Sequence, residues 1–430
     1  MFSTEFLPLL KLHLKIANLL NCTPLVYNCA TGRFTQTKSV KTVRKFKQQC
    51  VLSALYCVAL LGNLCFGKPP VMEKLKGVTF FILYLGQAVV KWNYNLDMNS
   101  LKRKPSKASK AMMVYILMAE ATIVAIPSFQ FFLLITRPCT APFIMSMFES
   151  CSHVPILVRG ITSGFESWMA AHMLYAGFIW IYYGFTAGIV CILEYFRILG
   201  SPEPDSGSGR RSGLCREYKV RASSRFWLCL LDWNTDNFKV VINWEDDLAY
   251  EVCLRSQSHG QTLALAAHDI KSIPVGHDIG ECIQFNRQIQ LLEKLFNASL
   301  MYKVVPVCVF LVPMLESFCL FVCIKLHGET PYPGFVLFPI LVVDTVIHNM
   351  FVFTVASWVH NESHEVLHRL AKQSVVLGRK EKGVDKRMIK ASTVFRVKVG
   401  SSNYVDKGTP LVMQDFCMNQ TVNLILLQED

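Results

Sequence analysis

The apolar residues of this chain are gathered into runs close to bilayer length, and that arrangement limits the possible folds more than any other feature. About 20 apolar residues cover the hydrocarbon of a membrane. Six strong runs occur, at 50–66, 77–92, 111–136, 168–199, 304–324 and 333–358, and a weaker, polar-rich seventh lies at 409–428. Inside lipid every backbone polar group must be bonded within a helix or a closed barrel, and unalternated runs of this length specify helices. The expected fold class is all-α, a multi-pass membrane protein of seven transmembrane helices. Composition agrees: 52% of residues are hydrophobic and only 17% are charged, against roughly 25% charged in soluble domains.

The 44 Lys and Arg exceed the 31 Asp and Glu, and their placement gives the chain a direction. Segments 1–49, 93–110 and 359–408 hold 8, 5 and 11 basic residues, whereas the alternating segments 67–76, 137–167 and 325–332 hold 3, 2 and 1. Basic residues accumulate on the cytoplasmic side of short loops. The N-terminus is therefore expected in the cytoplasm and the end of a seventh span outside, opposite to G-protein-coupled receptors. No signal-peptide pattern precedes the first span, which is then expected to act as its own insertion signal. Sequons at Asn21, Asn297 and Asn361 fall on expected cytoplasmic segments and Asn419 within the last span, so none should carry a glycan.

This divides the chain into a cytoplasmic segment (1–49), spans one to four (50–199), a long cytoplasmic loop (200–303), spans five and six (304–358), a basic cytoplasmic segment (359–408) and the last span with its outer end (409–430). In the first segment, Leu9, Leu12, Leu14, Ile16, Leu19 and Leu20 are interrupted by Lys11, His13 and Lys15, the pattern of a helix lying in the membrane interface. The long loop opens with SPEPDSGSGRRSG, a flexible linker by composition. It closes on a helix over about 277–303, where Phe285, Ile289, Leu292 and Phe296 share one face; this helix is expected to run unbroken into span five. A helix over 359–377 should likewise extend span six.

Most of the 16 Cys lie inside apolar runs and read as small hydrophobes. Cys139 and Cys151 share one short inter-span loop and are the pair placed for a disulfide. No nucleophile–base motif, phosphate-binding glycine loop or zinc spacing occurs, so neither an enzyme nor a resident cofactor or metal is expected. The basic runs at 44–47, 102–110 and 378–390 are split among loops; they suit anionic membrane lipids rather than nucleic acid.

The LLKLHLKIANLLNCTPLVYN entry segment, the inside N-terminus, the long stretch before span five and the TVNLILLQE tail together resemble the arthropod gustatory and odorant receptor superfamily, including its primitively wingless hexapod members. In the tail, Thr421 and Gln428 keep the separation of the gustatory signature, while Val422 and Glu429 stand where that signature has aromatics. The resemblance implies a plasma-membrane, ligand-gated, nonselective cation channel for taste or smell, assembled as a homo- or hetero-tetramer. Its last helices would line the pore, its cytoplasmic extensions would form an anchor, and each subunit would bind a small tastant or odorant in its outer half.

Candidate site residues follow from local chemistry set in that frame. Asp415, Asn419 and Asn423 are successive i,i+4 neighbours on one face of the last span, with Leu426 close to the same face. Such a face needs water or protein beside it, and symmetric copies would make polar rings with an apolar constriction. For the ligand, Trp168, His172 and Tyr175 share a face of span four, and Phe129 and Tyr84 project from spans three and two; helix packing and interfacial aromatics are the ordinary alternative. Glu120, Glu316, Asp344 and His348 are ionisable groups within spans. Asp344 and His348 are spaced to pair, and with Glu316 they support the alternative of a multi-pass secondary transporter.

Overall fold

The computed structural model describes residues 2–3, 7–28, 33–37, 39–91, 98–101, 107–148, 151, 154–199, 237–239, 255–257, 279–328, 332, 334–376, 382–400 and 403–427. The linker expected at 201–213 lies outside them. The chain is an all-α multi-pass membrane protein. Its helices are α1 (Leu7–Leu19), α2 (Val40–Phe66), α3 (Val71–Lys91), α4 (Lys107–Thr136), α5 (Ile156–Phe178), α6 (Ala187–Leu199), α7 (Ile279–Leu300), α8 (Val304–Pro306), α9 (Val312–Lys325), α10 (Leu337–Val376), α11 (Lys382–Ala391) and α12 (Thr409–Leu426). The strands among the described residues are two to four residues long.

Five stretches are long and apolar enough to cross a membrane: Val40–Phe66, Lys110–Thr136, Ile156–Arg197, Val304–Lys325 and Gly334–Lys372. Helix α3, with Glu73, Lys74, Lys76 and Lys91, and the short polar α12 are not among them, yet both pack into the bundle. Helix α3 lies against α2, α5 and α9, and α12 against α9 and α10.

The sixth apolar run continues as expected into one 40-residue helix, α10. The expected continuity of 277–303 with span five fails, because α7 stops at Leu300 and a turn at Met301–Lys303 separates it from α8, with Lys303 at φ −125° and ψ −57°. Two π-helical stretches interrupt the spans, Ile179–Thr186 between α5 and α6 and Val307–Leu311 between α8 and α9. The second lies between Pro306 and Pro313, which have no backbone N–H for the helical ladder. In the first, the Thr186 hydroxyl donates to Ile181 O at 2.9 Å, while Tyr182 and Tyr183 reach different neighbours, Tyr115 and Glu120.

Helix α1 lies against α5 with Lys11, Leu12, Lys15 and Leu19 exposed. His13 departs from the expected polar face: it is 1% exposed and inserts into the bundle. Asn21, at φ 55°, closes α1 in the left-handed region, and Cys22 N–H returns to Ala17 O at 2.9 Å, a Schellman-type end.

At the cytoplasm-facing end expected from sequence, residues 393–398 are held between α7 and α10. Gln290 Nε2 donates to Thr393 O at 3.1 Å, Asn297 Nδ2 to Arg396 O at 3.0 Å, and Phe395 N–H to Ser363 Oγ at 2.9 Å. Arg396 N–H donates to Glu293 Oε1 and Lys398 N–H to Asn297 Oδ1, each at 3.1 Å. Burial raises the pKa of Glu293 against the opposing pull of the Arg396 N–H. The Phe395 ring packs edge-on against Phe196 of α6 at 4.9 Å. From here the chain passes through a small hairpin, Lys398–Val399 with Asn403–Tyr404, to α12.

Candidate functional site

At the end of the bundle away from α7, a cleft of about 720 Å³ opens between α3, α4, α5 and the start of α10. Phe80 of α3, Leu133 of α4 and Phe338 of α10 line it and are themselves buried. The Phe80 ring lies 6.0 Å from Phe338 and 4.9 Å from Phe143 of the α4–α5 loop. Lys68, Glu73, Lys76, Arg137 and Arg159 also line it, together with loop residues including Ser146, Met147 and Phe148.

The α4–α5 loop is fixed from three directions. The Cys139–Cys151 disulfide anticipated in the sequence closes it, with Cα atoms 5.5 Å apart. Asn63 Nδ2 of α2 donates to Pro142 O at 2.8 Å and Phe143 O at 3.0 Å. The carboxylate of Glu166 on α5 accepts from Ile144 N–H at 2.8 Å and from the Tyr56 hydroxyl of α2. Helix α3 approaches this loop so closely that a Cβ at Gly77 would sit 2.9 Å from Pro142 N.

None of Trp168, His172, Tyr175, Phe129 and Tyr84 lines the cleft. Tyr84 lies one helical turn below Phe80, its hydroxyl donating to Gln130 Oε1, and half-buried Phe129 lies one turn below Leu133. Deeper in the bundle, the Lys91 ammonium donates to His172 Nδ1 at 2.9 Å and Ser53 Oγ at 3.0 Å. Trp168 and His172 have ring centroids 5.4 Å apart, as their spacing requires. The Tyr175 ring faces His13, at 5.0 Å, instead of joining the other two. His13 Nδ1 is 2.7 Å from Glu120 Oε1, and its Nε2 donates to Tyr175 O at 2.9 Å.

The expected Asp344–His348 pair is absent among the described residues. His348 Nδ1 instead receives the Tyr115 hydroxyl at 2.6 Å, because Tyr115 on α4 presents a hydroxyl to that face of α10. Glu316 accepts from Asn349 Nδ2 at 2.6 Å and from Gln414 Nε2 of α12 at 3.4 Å. No cluster of metal-ligating residues occurs among the described residues.

Helix α12 has one face fixed and another open. Cys417 and Thr421 are buried; Cys417 O accepts from Ser317 Oγ at 3.2 Å, and Thr421 Oγ1 donates to Cys417 O at 2.8 Å. Asp415, Asn419, Asn423 and Leu426 are exposed, and Asn419 Nδ2 donates to Asp415 Oδ2 at 3.1 Å. In the turn before α12, the Thr409 hydroxyl and then the Thr409 and Gly408 N–H groups hold the Asp406 carboxylate below its ordinary pKa.

The sequence reading missed Lys68, Lys76, Arg137 and Arg159 as cleft residues. Their signal was present as the few basic residues on the charge-poor side, but only the fold brings them together.

No protein-family model matches the chain, and no curated protein matches it in sequence. Solved structures do match in fold. The insect olfactory receptor OR5 from Machilis hrabei superimposes over 99% of this chain and 100% of its own, with a TM-score of 0.56 at 10% identity. The same receptor in complex with eugenol covers the same shares, with a TM-score of 0.52 at 9% identity. The all-α bundle described here is thus a membrane fold of the insect olfactory receptor type.

Proposed function

We propose that the chain is a chemosensory receptor subunit of the plasma membrane that binds a small organic ligand and gates a nonselective cation pore. The observation that carries this reading is the open face of α12: Asp415, Asn419 and Asn423 are polar, exposed and left uncovered by their own subunit. A bilayer-embedded helix cannot leave such a face against lipid. In a tetramer related by symmetry about α12, the three residues become rings, the carboxylates favour cations, and Leu426 forms an apolar constriction. At about 1.5 Å per residue, the 18 residues of α12 span about 27 Å, close to the hydrocarbon thickness.

Seven crossings with a cytoplasmic N-terminus complete the reading. The basic-residue distribution supports this direction, and so does the disulfide in the α4–α5 loop, since disulfides persist in oxidising compartments. The ligand occupies the outer cleft over Phe80, with Tyr84 and Phe129 forming the layer beneath. Trp168, His172 and Tyr175 belong to the packed polar layer through which occupancy reaches the inner half. The transporter alternative loses ground because Glu316 and His348 are engaged by Asn349, Gln414 and Tyr115.

Planar-bilayer recordings of the purified protein, challenged with a panel of small organic compounds, test this reading. Ligand-evoked unitary cation currents whose selectivity changes in Asp415→Ala are expected. Stoichiometric uptake without unitary events would replace the channel with a transporter, and unchanged selectivity would remove Asp415 from the pore.

A further inference from the structure

We infer that Glu316, Asn349 and Gln414 form a binding site for a small monovalent cation, with sodium as the ion to test, where α9, α10 and α12 meet. The inference goes beyond the receptor reading and does not depend on α12 lining a pore. Its basis is an imbalance of donors and acceptors around one buried carboxylate. Glu316 and Asn349 are both 0% exposed. Asn349 Nδ2 and Gln414 Nε2 donate to the same oxygen, Glu316 Oε2, at 2.6 and 3.4 Å. Glu316 Oε1 and Asn349 Oδ1, which flank that bond, have no hydrogen-bond partner among the described residues.

The neighbouring donors are already committed to main-chain oxygens. Ser317 Oγ donates to Pro313 O at 3.0 Å and Cys417 O at 3.2 Å, and Thr421 Oγ1 to Cys417 O at 2.8 Å. Thr345 Oγ1, one turn from Asn349, donates to Leu341 O at 2.7 Å, and the Cys417 thiol reaches Pro313 O at 3.6 Å. Among the described residues no Lys, Arg or His forms an ion pair with Glu316. A buried carboxylate without a counter-charge is costly, and each orphaned acceptor adds to that cost. A cation removes both deficits at once, because it neutralises the charge and is held by oxygen atoms alone. One carboxylate matches a single positive charge, and carboxylate and amide oxygens are hard donors that suit hard cations rather than soft transition metals. Gln414 is half-buried and stands beside exposed Asp415 on α12, so the site borders the open face of that helix. Once occupied, it fastens α12 to α9 and α10 through one ion. A proton on Glu316 is the competing way to balance the charge.

The test is a stability measurement that needs no pore activity. Purified full-length protein in phosphatidylcholine nanodiscs is melted in sodium chloride and in choline chloride at equal ionic strength, choline being too large for the site. Sodium at about 100 mM is expected to raise the melting temperature by about 2 °C over choline. Glu316→Gln keeps the shape of the side chain and removes its charge, and it should melt at the same temperature in both salts. Asn349→Ala, compared with itself in the two salts, should lose most of the sodium response, and it decides the question where Glu316→Gln does not fold. Asp415→Ala, on the open face of α12, should keep the response.

Equal melting temperatures of the wild type in the two salts would overturn the proposal and make a proton the occupant. An undiminished sodium response in Glu316→Gln, or in Asn349→Ala where that variant alone folds, would overturn it as well. Loss of the response in Asp415→Ala would move the ion to the open face of α12 and overturn the assignment to Glu316. A sodium response that follows Glu316, without any ligand-evoked current, would sink the channel reading while leaving the cation site standing.

Discussion

Helices α5 and α12 both carry polar residues through apolar surroundings, and they dispose of them in opposite ways. On α5, Glu166 and His172 are buried and bonded within the subunit, to Tyr56 with the Ile144 N–H and to Lys91 respectively. On α12, Asp415, Asn419 and Asn423 are exposed, and Asn419 donates to Asp415 on the same face. A polar residue within a span therefore has two meanings. Satisfied inside the subunit it is structural cross-linking, and left on an open face it marks where water or another subunit belongs.

The largest expected effect falls on the α5 side. Glu166→Ala strands the Tyr56 hydroxyl and the Ile144 N–H together, and each unsatisfied buried group costs about 1–3 kcal/mol. The variant should melt well below wild type and lose the fixed position of the α4–α5 loop, read from its melting temperature in detergent. Equal stability would show that the buried carboxylate is dispensable. The α12 counterpart is expected to be nearly silent by the same measure: Asp415→Ala should change stability by less than about 0.5 kcal/mol while altering ion permeation. A large loss of stability there would mean that the open face is covered in the intact assembly by close protein contacts rather than water.

The smallest effect concerns pH at the start of α12. Because the folded-state pKa of Asp406 is lowered by its Thr409 and Gly408 partners, its contribution is present above the ordinary carboxylate range. That contribution is lost as pH falls through the depressed folded value. Amide-exchange protection at Thr409 and the residues after it should decline over that acid window, and Asp406→Asn should flatten the decline. A pH profile identical in the variant would remove Asp406 from the turn.

The parts legible in sequence were those encoded by local pattern. The apolar runs gave the bundle, period-3.6 spacing gave α7, and the absence of a breaker after Trp358 gave the long extension of α10. What remained hidden depended on partners far apart in the chain. Lys11 and Lys15 do face outward from α1, but His13 turns inward because Glu120, 107 residues away, supplies a carboxylate beneath it. Asp344 and His348 have the spacing of a pair, yet spacing says nothing of a tyrosine on another helix. The break at Met301–Lys303 comes just before Pro306, which is tolerated in the first turn of a helix but not in its interior, a local signal that the expectation of an unbroken helix passed over. The cleft cations were visible as residues but not as neighbours, since two loops and two helix ends had to meet first.

The attachment at residues 393–398 is made largely with main-chain groups: three N–H donors, at Phe395, Arg396 and Lys398, and two carbonyls, at Thr393 and Arg396. The exposed side chains of Thr393, Arg396 and Lys398 can therefore be exchanged widely without loosening the hold on α7 and α10, whereas Phe395 and Val397 are buried in the core. Proline is the exception, since at 395, 396 or 398 it deletes a donor outright. The inner root of α12 is thus tolerant of mutation in its chemistry and intolerant in its geometry, so variation can retune that surface while the helix stays moored at the same point.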